Sequence, residues 1–93
     1  MDHQFLIHHE GDDVAVAIED VPSGREAVAV AMDTGGRVTV TTRGEVPLGH
    51  KVALKDLKDG DDVHKYGVAV GHVTADVITG DYVHTHNMRS SRW

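Results

Sequence analysis

The run Val14-Ala15-Val16-Ala17-Ile18 decides the fold class of this chain, because five small or β-branched apolar residues in succession have strand length and no helical spacing. Such a run is typical of a strand that is buried on both faces. Val28-Ala29-Val30-Ala31-Met32 predicts a second strand, and Arg37-Val38-Thr39-Val40-Thr41 alternates polar and apolar residues, which indicates a half-buried third strand. With the apolar triplet Phe5-Leu6-Ile7 and the hairpin turn Asp33-Thr34-Gly35-Gly36, these segments predict an N-terminal β-meander.

The second half of the chain also reads as short strands. These are predicted over Val52-Ala53-Leu54, over Asp61 to Gly67 and over Val68 to Val73, with Gly71 at a bulge or a close approach of two backbones. Lys55 to Gly60 forms at most one helical turn, closed by a glycine suited to a left-handed C-cap. No segment of ten or more residues has an apolar pattern of helical period, so the fold class is mostly β with at most a short helical turn.

One turn sequence occurs twice. Val21-Pro22-Ser23-Gly24 and Val46-Pro47-Leu48-Gly49 share the pattern Val-Pro-x-Gly, and each copy leads toward an apolar run. Proline presets the backbone angle φ, and glycine adopts conformations that other residues avoid. A short internal duplication and a shared turn type explain the repetition equally well.

Composition narrows the function classes. A chain of 93 residues predicts one small domain, and the formal net charge of −6 argues against a nucleic-acid binder, which needs clustered Lys and Arg. Cysteine is absent, so a zinc-thiolate site and a disulfide framework are excluded. The first residues lack the features of a signal peptide, and no apolar run approaches transmembrane length, so we expect a cytoplasmic protein with no membrane partner.

The stretch with the densest chemistry is Gly80-Asp81-Tyr82-Val83-His84-Thr85-His86-Asn87. On a strand, His84 and His86 would share one face, while Val83 and Thr85 would point to the other. Two imidazoles followed by an amide suit a metal ion or the oxygens of a small polar ligand. The spacing alone leaves open the alternative, a strand end whose histidines simply face water.

Two further groups carry suitable side chains. His50-Lys51 follows a Pro-x-Gly turn and presents either an acid/base pair or an exposed loop. Lys65-Tyr66-Gly67 forms either a contact to a ligand or a strand-end turn in which Tyr66 packs and Lys65 is solvated. The other histidines and paired carboxylates favour structural explanations. We expect surface positions for His3, His8 and His9, partly buried structural roles for His64 and His72, and solvated turns at Asp12-Asp13 and Asp61-Asp62.

Several of these segments, in this order and spacing, resemble one family, the altronate dehydratase (UxaA-type) family. The resemblance covers about residues 13–87 and rests on Val46 to Leu54, Lys65-Tyr66-Gly67, Gly71 and Asp81 to Asn87. It implies that the chain is similar to the small N-terminal SAF domain, or separate small subunit, of these enzymes, with a β-clip fold. The domain would occupy residues 1–93, with a core over about 13–87 and a polar C-terminal tail over 88–93.

The resemblance also implies a function. Altronate dehydratase removes water from a sugar acid by β-elimination, and a divalent metal, iron or manganese, is expected in the complete enzyme. The chain would be the small subunit of such a hydro-lyase and would act with a large catalytic subunit on a sugar-acid substrate. It would contribute His84 and His86 as catalytic residues and metal ligands, and His50, Lys51, Lys65, Tyr66 and Asn87 as substrate-binding residues.

Two alternatives stand beside this prediction. The first alternative is that the chain is the small subunit of the related enzyme sulfolactate sulfo-lyase, whose reaction differs only in the leaving group. A non-catalytic SAF module that binds a carbohydrate, an anion or a protein is the rival from another class, since one fold serves several functions. A homo-oligomer is a further option for the assembly.

Overall fold

The computed structural model describes residues 3–65, 68–84 and 86–90, with only the backbone of Lys65 and Ser90. These residues contain no helix, and hence none that could cross a membrane, which confirms the mostly-β prediction. They form nine strands: β1 Phe5–Ile7, β2 Val14–Ala17, β3 Glu26–Ala31, β4 Arg37–Thr41, β5 Lys51–Ala53, β6 Asp62–Lys65, β7 Val68–Val73, β8 Tyr82–Val83 and β9 Met88–Ser90.

The strands form two sheets, one in the order β4-β3-β1-β2-β5-β8 and one in the order β6-β7-β9. The predicted N-terminal meander is wrong, because β1 lies between β2 and β3, antiparallel to the first and parallel to the second. This central place buries the only phenylalanine, Phe5, and also Ile7, which an edge strand would leave open to water. The β3–β4 hairpin forms as predicted, with Gly35 at a φ of 75° in its turn.

The core consists of two hydrophobic clusters, one within the larger sheet and one between the two sheets. The larger cluster surrounds Phe5, and the smaller one packs Val63 and Val73 against Val14. In β2, Val14, Ala15 and Ala17 are all buried, which confirms the prediction that this strand is covered on both faces. Strand β2 thus contributes to both clusters and connects the two parts of the core.

Four turns of one type organise the fold, namely Val21–Gly24, Val46–Gly49, Leu57–Gly60 and Val77–Gly80. Their first residues pair as two isolated bridges, Val21 with Val46 and Leu57 with Val77, and each bridge has two backbone hydrogen bonds of 2.7–2.9 Å. Each turn ends in a glycine at a φ between 78° and 95°, and a strand begins within two residues of it. The two copies of the Val-Pro-x-Gly pattern are therefore two of four turns with the same conformation.

Carboxylates preceding these turns brace the paired turn across the bridge. Asp20 accepts from the backbone N–H of Leu48 at 2.8 Å, and Asp76 accepts from that of Asp59 at 2.9 Å. Asp56 accepts from both the backbone N–H and the hydroxyl of Thr79, and these hydrogen bonds lower the pKa of the Asp56 carboxyl. The predicted helical turn over Lys55 to Gly60 is thus replaced by a braced tight turn, since its apolar Leu57 is needed for a bridge.

The predicted bulge lies beside Gly71. Val63 pairs with Gly71 while the next residue, His64, pairs with Ala69, so Val70 is the extra residue of β7. The predicted polar tail over 88–93 is wrong at its start, because β9 pairs with β7 and Met88 is 8% exposed. Residues 91–93 lie outside the described part of the chain.

Candidate functional site

The candidate site is built on β5 and β8, which are antiparallel neighbours in the larger sheet. Lys51 lies opposite Val83 and Val52 lies opposite Tyr82. Continuing this register by one residue places His50 opposite His84, and the centres of their rings lie 4.7 Å apart. Each strand follows one of the tight turns, so the glycines at 49 and 80 set the entry angle of both strands.

Three imidazoles surround one phenol ring. The centre of the Tyr82 ring lies 5.6 Å from that of His50, 5.7 Å from that of His84 and 5.4 Å from that of His86. The Tyr82 and His84 rings are nearly parallel, at 9°. We call these four residues the imidazole cluster. Tyr82 is half-buried and packs against the larger hydrophobic cluster, whereas His84 and His86 are exposed.

The predicted strand geometry of His84 and His86 is wrong. Strand β8 ends at Val83, and the chain then bends, with the backbone N–H groups of Asn87 and Met88 both donating to the carbonyl of His84. The bend returns His86 to the Tyr82 ring, so the two histidines meet around the phenol rather than along a strand. Thr85 lies outside the described residues.

Asn87 holds this bend. Its side chain is buried, its Oδ1 accepts from the backbone N–H of His84 at 2.9 Å, and its Nδ2 donates to the carbonyl of Tyr82 at 2.8 Å. The amide group therefore bonds to backbone groups of the two residues whose rings stack. A contact of Asn87 to a substrate stays a prediction. The observed hydrogen bonds of its side chain stabilise the bend that carries His84 and His86.

His50 and His84 differ in their hydrogen bonding and in the charges around them. The Tyr82 hydroxyl and Nδ1 of His50 are 2.5 Å apart, a short hydrogen bond. At His84, partial loss of hydration lowers the pKa of the imidazole, and the positive charges of His50, Lys51 and His86 lower it further. His84 is thus held in its neutral form, which can accept a proton, near neutral pH.

The other predicted substrate-binding residues lie elsewhere or outside the described part. Lys65 ends β6 in the smaller sheet, and its side chain is not described. Tyr66 lies outside the described residues, so its predicted role is untested. The structure therefore brings together His50, His84 and His86 around Tyr82, and it leaves Lys65 in the other sheet. Lys51 lies opposite Val83 on β8, and its positive charge contributes to the lowered pKa of His84.

The described residues do not supply three ligands for the expected metal ion. Among residues 3–65, 68–84 and 86–90, no three His, Asp or Glu side chains are arranged to hold a metal ion. The assignment of His84 and His86 as metal ligands therefore stays a prediction.

A second polar network lies around Asp13, which the sequence had suggested to be a solvated turn residue. That prediction is wrong, because Asp12 and Asp13 are only 3% and 6% exposed. Oδ2 of Asp13 accepts from the backbone N–H and Nδ1 of His64 at 2.8 and 2.9 Å, and its Oδ1 lies 3.4 Å from Nζ of Lys55. The carboxylate thereby ties β6 of the smaller sheet to the start of β2.

A shallow cleft of about 220 Å³ lies at the end of β5 remote from the imidazole cluster. Ile7 and Leu54 form part of its apolar lining, and Glu10, Arg37 and Lys55 contribute charged groups. None of the predicted site residues lines this cleft, so it is separate from the candidate site.

Sequence reasoning missed Tyr82 as a member of the site. The signal was present, because Tyr82 and His84 are two residues apart and therefore share a face of one strand. The period-two argument was applied to His84 and His86 instead, where the bend invalidates it. His50 was included, but its position opposite His84 depends on a strand pairing that no local pattern reveals.

The described residues thus form an all-β domain with an imidazole cluster on β5 and β8. Residues 3–91 match the altronate/galactarate dehydratase SAF domain, and the chain belongs to that family. It is 33% identical to (2R)-sulfolactate sulfo-lyase subunit alpha of Chromohalobacter salexigens over the full length of both chains. It is 42% identical to the altronate dehydratase of Escherichia coli over 88 residues, which are 95% of this chain but 17% of that enzyme. The resemblance inferred from the sequence motifs is thus confirmed.

Proposed function

We propose that this chain is the small component of a hydro-lyase that eliminates water from a sugar acid, and that it completes an active site held mainly by a larger catalytic chain. The observation that carries this proposal is the gathering of three imidazoles around Tyr82, beside Lys51, at the exposed end of β5 and β8. Core packing does not account for His84 and His86, since both side chains are exposed.

The relatives support a shared active site. In Escherichia coli altronate dehydratase, the matching segment is 17% of the enzyme, so most of that protein lies outside the region of similarity. In Chromohalobacter salexigens, the relative that matches over its full length is named as a subunit, subunit alpha. Both relatives support the proposal that a chain of this kind acts together with further protein.

The residues of the cluster suit the elimination. A base must take the proton from the carbon next to the carboxylate while a cation neutralises that carboxylate, and the departing hydroxyl needs a proton to leave as water. Neutral His84 is suited to the first role, Lys51 to the second, and an N–H of His50 or His86 to hydrogen bonding with the hydroxyl. Any divalent ion of the complete enzyme would need ligands from the larger chain in addition to those that His84 and His86 could supply, because the described residues here form no group of three.

Reconstitution tests the proposal. The chain is co-expressed with the larger subunit from its host, and the purified complex is assayed with altronate and galactarate for formation of a 2-keto-3-deoxy acid. We expect turnover by the complex and none by the 93-residue chain alone. Turnover by the isolated chain, or failure to form any stoichiometric complex, would contradict the proposal and favour a stand-alone binding module.

The double substitution His84→Ala and His86→Ala tests the site. We expect the reconstituted complex to lose about 100-fold or more in activity, as for a lost acid/base group. The control is His9→Ala, which removes an imidazole from an exposed position far along the chain from β5 and β8. Circular dichroism establishes that both variants fold, and full activity of the double variant would show that the terminal bend is structural.

Sulfolactate sulfo-lyase is the second candidate function. It is favoured by one observation, the match to a sulfo-lyase subunit over the full length of both chains. The elimination differs in its leaving group, because sulfite departs in place of water. The same complexes are therefore assayed with (2R)-sulfolactate for release of sulfite, and the substrate with the higher kcat/KM decides between the two functions.

A further inference from the structure

We propose that Tyr82 is a positioning residue that fixes the tautomer of His50, so that His50 presents an N–H donor and His84 presents a proton acceptor to one ligand. The hydrogen bond and the tautomer are properties of this chain alone, and their use in elimination rests on the proposed function. The ligand that such a pair recognises has an oxygen to accept a hydrogen bond and a nearby proton to give up, as a hydroxy acid does.

The Tyr82 ring is held on several sides. The ring packs against the larger hydrophobic cluster, and Tyr82 pairs with Val52 of the neighbouring strand β5. The backbone carbonyl of Tyr82 accepts from the buried side-chain amide of Asn87. Its hydroxyl therefore has a fixed position 2.5 Å from Nδ1 of His50. A side chain fixed in this way can orient the imidazole to which it is hydrogen-bonded, as groups beside metal-ligating histidines do.

Relative acidity decides which atom donates. A phenol has a pKa of about 10, and a neutral imidazole N–H is a much weaker acid, while an imidazole nitrogen accepts more strongly than a phenol oxygen. The hydroxyl of Tyr82 therefore donates to Nδ1 of His50. In neutral His50 the proton is then on Nε2, which becomes a hydrogen-bond donor on the far side of the ring from Tyr82.

His84 differs from His50 in geometry. Its ring is parallel to that of Tyr82 within 9°, with the ring centres 5.7 Å apart, and the hydrogen bond of the Tyr82 hydroxyl is made to His50 instead. Among the described residues, no side-chain hydrogen bond commits the ring nitrogens of His84. In its neutral form, it keeps one lone pair for a proton, at a ring-centre distance of 4.7 Å from the donor His50.

Nitrogen NMR of the ¹⁵N-labelled 93-residue protein tests the proposal directly. When His50 is neutral, we expect chemical shifts of an almost pure Nε2–H tautomer. In Tyr82→Phe, which keeps the ring and its packing and removes only the hydroxyl, we expect the two nitrogen shifts of His50 to move toward each other as the tautomers mix. A mainly Nδ1–H tautomer in the parent protein, or unchanged shifts in Tyr82→Phe, would overturn the proposal.

Activity of the reconstituted complex provides a second measurement. We expect Tyr82→Phe to lower kcat/KM about 10- to 100-fold, as for other residues that orient a histidine. His50→Gln, whose amide nitrogen can replace the Nε2–H donor, should retain more activity than His50→Asn, whose amide can replace only Nδ1. Full activity of Tyr82→Phe in an active complex would overturn the positioning role while the proposed function stands. Absence of turnover in every complex would refute the proposed function, and the NMR result would still decide the tautomer.

Discussion

Single residues of the imidazole cluster influence one another through charge. His84 has three neighbours that can be positive, namely His50, Lys51 and His86, and each of them disfavours protonation of its ring. Positive charges that lie close together repel one another, so the cluster is more stable when at least one of its imidazoles stays neutral. The cluster therefore contains at least one imidazole that is available as a base when the solution is near neutral.

The titration of His84 tests this arrangement. We expect its pKa to lie below the ordinary value of about 6.5, and we expect Lys51→Met to raise it, because removal of a positive neighbour relieves the repulsion on the imidazolium. Proton NMR of the carbon-bound imidazole hydrogens between pH 4 and 9 measures the pKa of His84 in the parent protein and in Lys51→Met. His9→Ala serves as the control, and it should leave the titration of His84 unchanged. A pKa of His84 that falls in Lys51→Met would contradict the assigned cause.

At the scale of elements, the four tight turns determine where strands begin. Their glycines share a φ of 78–95°, a region that costs other residues about 1–2 kcal/mol. The turns differ in what surrounds them, however. A Cβ at Gly80 would lie 2.1 Å from the carbonyl oxygen of Thr41, whereas a Cβ at Gly60 would meet nothing within 4 Å.

Alanine at these two glycines gives a matched comparison. Gly60→Ala, at a φ of 93°, should lower the free energy of unfolding by about 1–2 kcal/mol, from the backbone conformation alone. Gly80→Ala, at a φ of 95°, should cost roughly 1–3 kcal/mol more, because the backbone of Thr41 must move away from the added carbon. Urea unfolding followed by circular dichroism measures the difference. Equal losses in the two variants would show that the close approach at Gly80 contributes nothing.

At the scale of the whole molecule, the Asp13 carboxylate joins the two sheets. It accepts from His64 in β6 and pairs with Lys55, and it lies directly before β2. Asp13→Ala should lower the free energy of unfolding by about 2–3 kcal/mol, because charge-assisted hydrogen bonds are lost in a buried position. Asp61→Ala is the control, since among the described residues that exposed carboxylate accepts only from the backbone N–H of Lys58. Equal losses in the two variants would contradict a joining role for Asp13.

The sequence by itself determined the fold class and the positions of most strands, because period-two alternation and short apolar runs are local properties of a chain. It also identified the family, because the motifs around His50 and His84 are contiguous. Only the tertiary structure decided that β1 lies between β2 and β3, that His50 faces His84, and that Asp13 is buried. It also decided that β8 ends at Val83, since the bend depends on an amide, that of Asn87, folding back onto the backbone. These outcomes depend on pairings between residues up to 51 positions apart, and local patterns do not encode which distant partner a strand or side chain will find.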